Sequence, residues 1–417
     1  MKEKKDVLFL CQYFYPEYVS SATLPYDTAK ALVKAGFSVS ALCGYPSEYN
    51  KEGEVPMEEV HEGVKIKRLK YLQLKRSNFL GRLINYFSFT VSVASRILFF
   101  KGYKSIIVYS NPPILPFVPI IAKKLFRSKV VFVSYDVYPE MGYITKSISK
   151  NGFISKMMKK MNKSIFKNID RLVVISYEMK NYLINNRDNL SEDRVSVIPN
   201  WYADKIIDNM MVERSLRNPL FSEIKLKSEI VISYFGNLGI CQDISTILEA
   251  IRHYSNDSRV NFVFAGHGIK FEYLKKIVNE EDLKHVRIYD FLHGQDFQDA
   301  LNISDVFLVS LAEGVTGLGV PSKTYSYMMA GKPIIAIMGD ESDISIDLND
   351  RIAGYSMKVG DKDKIIEAIT ELRDNPGKRK TMGQNCRKVF EEKYTEEICT
   401  NQYVDMIKNV LGENKNV

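Results

Sequence analysis

The chain has 417 residues, and because a single core rarely grows beyond about 250–300 residues we expect two domains. Hydrophobic residues make up 45% of the chain and charged residues 26%, with 23 Gly and 14 Pro, which excludes a fibrous, collagen-like or wholly disordered protein. The net charge of +8 is uneven, because residues 63–187 hold 24 basic and 4 acidic side chains whereas residues 201–417 carry a net −6.

Apolar runs and helical patterns alternate through the first half. A run at 6–11, a helical pattern from Ala22 to Lys34 and a strand pattern at 37–42 make a strand, helix, strand unit. Further strands are predicted at 105–109, 130–134, 171–175 and 195–199, and a helix at 177–184. Residues 1–200 are therefore predicted to form one doubly wound α/β domain.

The same architecture restarts after a polar stretch at 201–228, which predicts an interdomain linker. Strands are predicted at 230–235, 261–265, 305–310 and 333–337, and a helix at 323–330. Residues 229–390 are predicted to form a second α/β domain, and residues 391–417 a final helical segment.

Two segments of the first half are candidates for contact with a membrane surface. In residues 153–171, apolar side chains recur at helical spacing and five lysines fill the opposite side. Residues 78–100 place apolar side chains one helical turn apart, namely Phe79, Leu83, Phe87 and Val91. The basic residues beside them are Arg82, Arg96 and, just before this segment, Arg76. Ordinary packing under a solvated face remains an alternative for both segments. Because no nucleic-acid module motif accompanies them, we expect an anionic membrane and no nucleic acid as the partner.

The location of the protein follows from what the sequence lacks. Its five cysteines are dispersed without a CxxC pair, its charged start has no secretory apolar region, and no stretch has the roughly 20 apolar residues of a bilayer span. We expect a cytoplasmic protein that is peripheral on the inner face of the cell membrane.

Three glycine turns of the second domain follow predicted strands and precede helices: Gly236 to Gly239, Gly266 to Gly268, and Thr316 to Lys323. Backbone N–H groups at such turns bind phosphate, and glycine lets a ligand approach closely. None of the three fits GxxxxGK[ST], and the first strand lacks GxGxxG, so a P-loop ATPase and a standard NAD enzyme are both disfavoured.

The third turn continues into GVPSKTYSYMMAGKP, from Gly319 to Pro333, which resembles the donor-phosphate loop of retaining GT-B glycosyltransferases of family 4. The bacterial branch that builds capsule, O-antigen and exopolysaccharide is the most similar. Further motifs resemble that branch in matching order: Tyr15 to Glu17, Asn111 to Pro113, Asp136 to Glu140, Ile198 to Trp201, and Tyr234 to Gly239. The resemblance implies two Rossmann-like domains facing across a cleft, with the final helix crossing back to the first.

The resemblance also implies a nucleotide-sugar site on the second domain. The amides of Ser322 and Lys323, just after Pro321, would meet the diphosphate, and Lys323 would supply a cation to the leaving group. Gly317 and Gly319 would lie near the transferred sugar, and the turn from Gly266 through His267 to Gly268 would flank the nucleoside. The other donor-side candidates are Gly236, Asn237, Gly239, Gln242 and Ser326.

Several positions depart from the wider family. Leu318 and Ser326 stand where most members have a Glu-x7-Glu pair, and Asn237 and Gln242 stand where they have Arg and Lys. The family's first-domain histidine also has no counterpart, since His61 lies in an unmatched segment.

Asp136 is the candidate that accepts or orients the acceptor hydroxyl, and Glu140 is an equal candidate. In front-face retaining transfer the leaving phosphate can itself take the proton, so a protein base is not required. We expect no metal and no resident cofactor, since Asp361 reads as a helix N-cap rather than a Mg²⁺ ligand.

The sequence thus predicts a hexosyltransferase that moves a sugar, with retention, from a nucleotide-diphosphate sugar, with UDP as the favoured carrier, to a lipid-linked saccharide in bacterial surface polysaccharide synthesis. A sugar-nucleotide epimerase or a soluble-acceptor transferase with the same fold is an alternative. A non-catalytic partner subunit of another transferase is a third hypothesis, because the Glu pair and the histidine are missing. A partner subunit or a homo-oligomer is compatible with any of these.

Overall fold

The computed structural model describes residues 5–46, 53–74, 79–205, 209–221, 224 and 229–413, which form two compact units. The first unit holds the chain up to Asn200, the short segment Gly317–Gly319 and the C-terminal segment from Glu396. The second unit holds the remainder. Arg76, the side chain of Phe79 and part of the predicted linker lie outside the described residues.

The first unit contains an eight-stranded sheet within the described residues, in the order β3-β4-β2-β1-β5-β6-β7-β8. Its strands are parallel except for β3, which runs antiparallel to β4. All five residues of the first strand are buried, as is typical of parallel strands covered on both faces. The strands are β1 (Val7–Cys11), β2 (Val39–Gly44), β3 (Glu58–His61), β4 (Val64–Leu69), β5 (Ser105–Tyr109), β6 (Lys129–Ser134), β7 (Arg171–Val174) and β8 (Val195–Val197).

The second unit contains a six-stranded parallel sheet in its described part, in the order β11-β10-β9-β12-β13-β14. Successive strands depart from β9 in opposite directions, which makes this strand the topological switch point where α/β sheets bind ligands. The strands are β9 (Ile230–Asn237), β10 (Val260–His267), β11 (Val286–Tyr289), β12 (Val306–Ser310), β13 (Ile334–Ile337) and β14 (Gly354–Met357).

Helices cover both sheets. In chain order they are α1 (Ser20–Lys34), α2 (Phe79–Ala94), α3 (Phe117–Phe126), α4 (Glu140–Ile144), α5 (Phe153–Asn168), α6 (Tyr177–Asn186), α7 (Asn209–Ser215), α8 (Ser245–His253), α9 (Ile269–Glu280), α10 (Gly294–Ile303), α11 (Lys323–Met329), α12 (Asp343–Asp350), α13 (Lys362–Asp374), α14 (Pro376–Lys393) and α15 (Glu396–Leu411). In the first unit, α15 packs on α1, while α3 contacts both α2 and α5. No helix within the described ranges is both long and apolar enough to cross a bilayer.

The predicted fold class, α/β with two Rossmann-like domains, is confirmed. Every predicted strand is present, and its ends differ from the prediction by no more than two residues. The sequence analysis missed β3, β4, β11 and β14. Asp361 is the predicted N-cap, and its side chain accepts a hydrogen bond from the Lys364 amide at 3.3 Å.

The polar stretch predicted to be a linker contains α7, which packs on α10 of the second unit. The Ser215 hydroxyl donates to Asp299 at 2.7 Å, and the Asn218 amide donates to the other Asp299 oxygen at 2.9 Å. Polar residues at the C-terminal end of α7 are therefore hydrogen-bonded to the second unit instead of facing solvent. Composition alone does not distinguish a polar segment of this kind from an exposed linker.

Two glycines of α14 give a matched test of how closely this helix packs. A Cβ at Gly383 would lie 2.3 Å from the Gly331 carbonyl oxygen, whereas a Cβ at Gly377 would meet nothing within 4 Å. We expect Gly383→Ala to lower the free energy of unfolding by about 1–3 kcal/mol because the backbone must shift. Gly377→Ala should raise it by up to about 1 kcal/mol, since alanine is the better helix former. Denaturant unfolding checks both, and equal effects of the two variants would contradict the packing.

Candidate active site

The carboxyl ends of β9 and β10 approach each other so closely that only glycine fits. Gly236 pairs with Gly266 in the parallel register, and a Cβ at Gly266 would lie 2.0 Å from the Gly236 carbonyl oxygen. Both glycines have positive φ, 113° and 153°. The strand ends therefore present bare backbone at the switch point, which leaves room for a ligand.

The Asn237 side chain fills the space between the two glycine turns. A Cβ at Gly268 would lie 2.6 Å from its amide oxygen, and a Cβ at Gly239 would lie 3.0 Å from its amide nitrogen. The Gly239 amide donates to the Gln242 side-chain oxygen at 2.8 Å. Asn237 and Gln242 thus shape this loop and bring no charge to it.

Lys323, the first residue of α11, reaches the end of β9. Its ammonium donates to the Tyr234 hydroxyl and, at 3.2 Å, to the Asn237 carbonyl oxygen. The nitrogen also lies 3.7 Å from the centroid of the Tyr234 ring, which is a cation–π contact. Within the described part of the chain no carboxylate forms an ion pair with it. The cation is therefore held by neutral groups alone.

Burial lowers the pKa of Lys323 to about 7, because desolvation disfavours the ammonium form. The side chain is only half-buried, so the nitrogen sits at the edge of the packed region. A cation whose burial no carboxylate offsets gains stability from an incoming anion, and such perturbed groups mark candidate functional sites.

Packing beneath the site holds α11 against β9. Tyr234 is fully buried and donates its hydroxyl proton to the Asn237 carbonyl at 3.0 Å. Tyr327, on the buried face of α11, accepts from the Phe235 amide at 2.7 Å and stacks on Phe307 with 4.0 Å between ring centroids. Because these groups are rigid, Lys323 starts from a fixed backbone position.

Ser326 is buried, and its hydroxyl donates to the Lys323 carbonyl oxygen at 2.8 Å. This predicted donor contact is therefore engaged with its own helix.

Three rings that the sequence analysis did not assemble lie beyond β10 and β11. Phe291 is exposed, and its centroid lies 5.4 Å from the His267 ring and 4.7 Å from the His293 ring. The signal available in the sequence was the pair of aromatic rings at Phe291 and His293, two residues apart. The rings are tilted by 49° and 53° to one another, so the exposed Phe291 ring offers one aromatic face beside the glycine turn at Gly268.

The segment Gly317–Gly319 belongs to the first unit, where it contacts the chain after β6. The Val137 amide donates to the Leu318 carbonyl at 2.9 Å. A Cβ at Gly319 would lie 3.2 Å from an Asp136 carboxylate oxygen, and one at Gly317 would lie 3.2 Å from Tyr182 Cβ. The two glycines are thus brought next to Asp136.

The Asp136 carboxylate has no ion pair or hydrogen-bond partner within the described ranges, and burial raises its pKa to about 6. Glu140 differs, because both of its oxygens accept from Arg187, at 2.9 and 2.6 Å. Bidentate pairs of this kind stabilise the carboxylate and occupy its lone pairs. Of the two candidates, Asp136 has the carboxylate available to a substrate hydroxyl.

Each half of the chain matches a family model of glycosyltransferases. Residues 22–203 match the model described as Glycosyltransferase Family 4, and residues 218–389 match the model described as Glycosyl transferases group 1. A probable glycosyltransferase, WbjE of Pseudomonas aeruginosa, is 27% identical over 340 residues, covering 81% of this chain and 82% of its own length.

Two solved structures share the fold. The first is HepE of Anabaena in complex with UDP, with a TM-score of 0.71 and 14% identity over 97% of this chain and 100% of that chain. The second is WaaG, a glycosyltransferase involved in lipopolysaccharide biosynthesis, with a TM-score of 0.68 and 11% identity over 96% of this chain and 99% of that chain.

The environment of Lys323 predicts a stability effect. The pKa is about 7 in the folded state against about 10.4 in an unfolded chain, so the unfolded state binds more protons between these values and stability rises with pH there. We expect Lys323→Met to melt at a higher temperature than the wild type at pH 6, and the difference to shrink towards pH 9.

Lys362→Met is the matched control, since it removes an exposed lysine from the first position of another helix and should leave the melting temperature near that of the wild type. Calorimetry at several pH values makes the measurement. A Lys323→Met protein that is less stable than the wild type at pH 6 would contradict the conclusion that burial of the Lys323 ammonium costs stability.

Proposed function

Because this chain is a glycosyltransferase with the GT-B fold, we propose that it moves a hexose, with retention of configuration, from a UDP-sugar to a lipid-linked saccharide. The acceptor would be an intermediate of a bacterial surface polysaccharide. The observation that carries the donor half of this proposal is Lys323, a half-buried cation with no carboxylate partner among the described residues.

Lys323 would bind the diphosphate and stabilise the charge that grows on it as the glycosidic bond breaks. In a desolvated site a fixed cation acts on this charge more strongly than in water. The Tyr234 ring and hydroxyl hold the ammonium in place before the donor arrives. Neither contact neutralises the charge, so its full effect would be directed at the phosphates.

The nucleoside would lie beside the turn at Gly266 to Gly268. Phe291 and the neighbouring His267 and His293 rings supply a surface on which a base can stack. Uridine is favoured because HepE, which has the same fold, was solved in complex with UDP.

Asp136 would orient the acceptor hydroxyl beside Gly319. In retaining transfer on one face of the sugar, the bond from the anomeric carbon to the phosphate oxygen breaks, the bond to the acceptor oxygen forms, and the acceptor proton passes to the leaving phosphate. The carboxylate accepts the hydrogen bond from that hydroxyl before the transfer. No nucleophile on the opposite face of the sugar is needed, and no metal enters this scheme.

A lipid-linked acceptor and a cytoplasmic membrane face fit the charge of the first unit. Residues 63–187 carry a net +20, and each basic residue near an anionic bilayer contributes about 1 kcal/mol of binding. WaaG, which shares the fold, is described as involved in lipopolysaccharide biosynthesis, and this supports the proposed pathway class.

Thermal shift against a panel of nucleotides and nucleotide-sugars tests the donor proposal, because a ligand of the native state raises the melting temperature. We expect UDP and a UDP-sugar to stabilise the wild type. Lys323→Ala should reduce that shift, leaving weaker but measurable binding, and lower turnover by about 100-fold, the scale seen on removing one transition-state donor. Lys362→Ala should keep both the shift and the turnover.

The affinity for UDP should also fall as pH rises from about 7 to 9 in the wild type, because Lys323 then loses the proton that pairs with the diphosphate. In Lys323→Ala this dependence should be absent. Calorimetric titration at several pH values makes the comparison, and a pH-independent wild-type affinity would remove Lys323 from the phosphate site.

The pH–rate profile tests Asp136. Since the pKa of Asp136 is about 6, the turnover of the wild type should rise as the pH increases through 6 and the carboxylate forms. This rise is here called the acid limb of the profile. Asp136→Asn should lower turnover and remove the acid limb. Glu140→Gln should instead lower the melting temperature, because it breaks the pair with Arg187, and should keep the acid limb. Initial rates between pH 4.5 and 8 measure both variants. An acid limb that persists in Asp136→Asn would exclude this role.

A further inference from the structure

Three helices of the first unit form a continuous layer, here called the outer row: α2, α3 and α5. The middle helix, α3, contacts both of the others, so the three lie side by side. Together they contain eight basic residues and no acidic one. The row as a whole is therefore basic, although Lys123 of α3 is paired with Asp170 at 2.6 Å.

Helix α2 is apolar on two opposite faces. Phe89 and Val93 are fully buried. Ile84, Phe87 and Val91 are 42%, 48% and 65% exposed. At about 100° per residue, these three exposed side chains fall within roughly 60° of one another. Packing on the sheet explains the first face and leaves the second unexplained.

Helix α3 repeats the pattern at a spacing of four residues. Phe117, Ile121 and Leu125 are 37%, 42% and 60% exposed, while Val118 and Ile120 are buried. The six exposed side chains of α2 and α3 are here called the apolar patch. Exposed patches of this kind are uncommon on monomers and mark surfaces that bind.

Helix α5 adds the charge beside the apolar patch. Met158 and Ile165 are buried on its inner side. Its five lysines are all exposed: Lys156, Lys159, Lys160, Lys163 and Lys167. Of these five lysines, only Lys163 forms an ion pair with a carboxylate of the described residues, that of Asp188 at 3.4 Å. Most of this positive charge is therefore available to an external anion.

We propose that the apolar patch enters the boundary between head groups and acyl chains of an anionic bilayer, while the lysines of α5 lie against the lipid phosphates. A bilayer supplies apolar chains and negative charge side by side, which is the complement of this row. The inference rests on the proposed lipid-linked acceptor. It adds that contact with the membrane is partly hydrophobic and assigns it to α2 and α3.

High salt separates the electrostatic from the hydrophobic part of membrane binding. At 1 M salt the screening length falls to about 3 Å, which weakens the attraction between lysines and lipid phosphates but not the burial of apolar side chains. Sedimentation with vesicles of phosphatidylglycerol and phosphatidylcholine should retain part of the wild type at 1 M salt. The Ile84→Ser/Ile121→Ser double variant should lose about tenfold of that salt-resistant partition, in line with two exposed isoleucines. Lys156→Gln/Lys160→Gln should lose binding mainly at low salt.

Ile346→Ser is the matched control, since Ile346 is 44% exposed on α12 of the second unit and its loss should leave the partition unchanged. Wild-type protein that fails to sediment with vesicles, or a double variant that matches it at 1 M salt, would overturn the inference. The UDP thermal shift, read without vesicles in each variant, reports separately on the proposed function. Unchanged melting temperatures without ligand would show that the exposed substitutions leave the fold intact.

Discussion

A half-buried lysine ammonium, with which no carboxylate of the described residues forms an ion pair, is the constraint on which the candidate site depends. The Lys323 cation is held by the face and hydroxyl of Tyr234 and by one backbone carbonyl, none of which carries a charge. Such a group costs stability in the free protein, since desolvation favours its neutral form. An anionic ligand would offset this cost, so the arrangement that lowers the stability of the free protein would favour binding of an anion.

The architecture around Lys323 serves to keep that position fixed. Tyr327 ties α11 to the backbone of Phe235, and the register of β9 with β10 brings Gly236 against Gly266 without room for a side chain. Asn237 then occupies the space between two glycine turns, so its neutral amide has a structural reason to be there. The strand ends thus present bare backbone beside the Lys323 ammonium, and the Lys270 ammonium donates to the Ile240 and Gln242 carbonyls of the neighbouring loop.

Much of the fold was readable from sequence because buried parallel strands are continuous apolar runs, such as Ile230 to Phe235. The strands that were missed lack this signal: β3, β4 and β11 contain charged residues, and β14 begins with a glycine. In the candidate site, the glycine turns were predicted from their positions after strands, and the role of Lys323 from the family resemblance. The Lys323–Tyr234 contact, the approach of His267 to Phe291 and the Glu140–Arg187 pair were not, because each joins residues far apart in the chain.

The four positions at which this sequence departs from the wider family have a common explanation in the charge of the residues replaced. The resemblance places two cations where Asn237 and Gln242 stand and two carboxylates where Leu318 and Ser326 stand. Replacing both pairs by neutral residues leaves the net charge of the set unchanged, with Lys323 as the remaining cation. Retaining the carboxylates without the two cations would have made the donor site anionic and repelled a diphosphate. The paired losses therefore do not by themselves make the candidate site anionic, and they are no argument against donor binding beside Lys323.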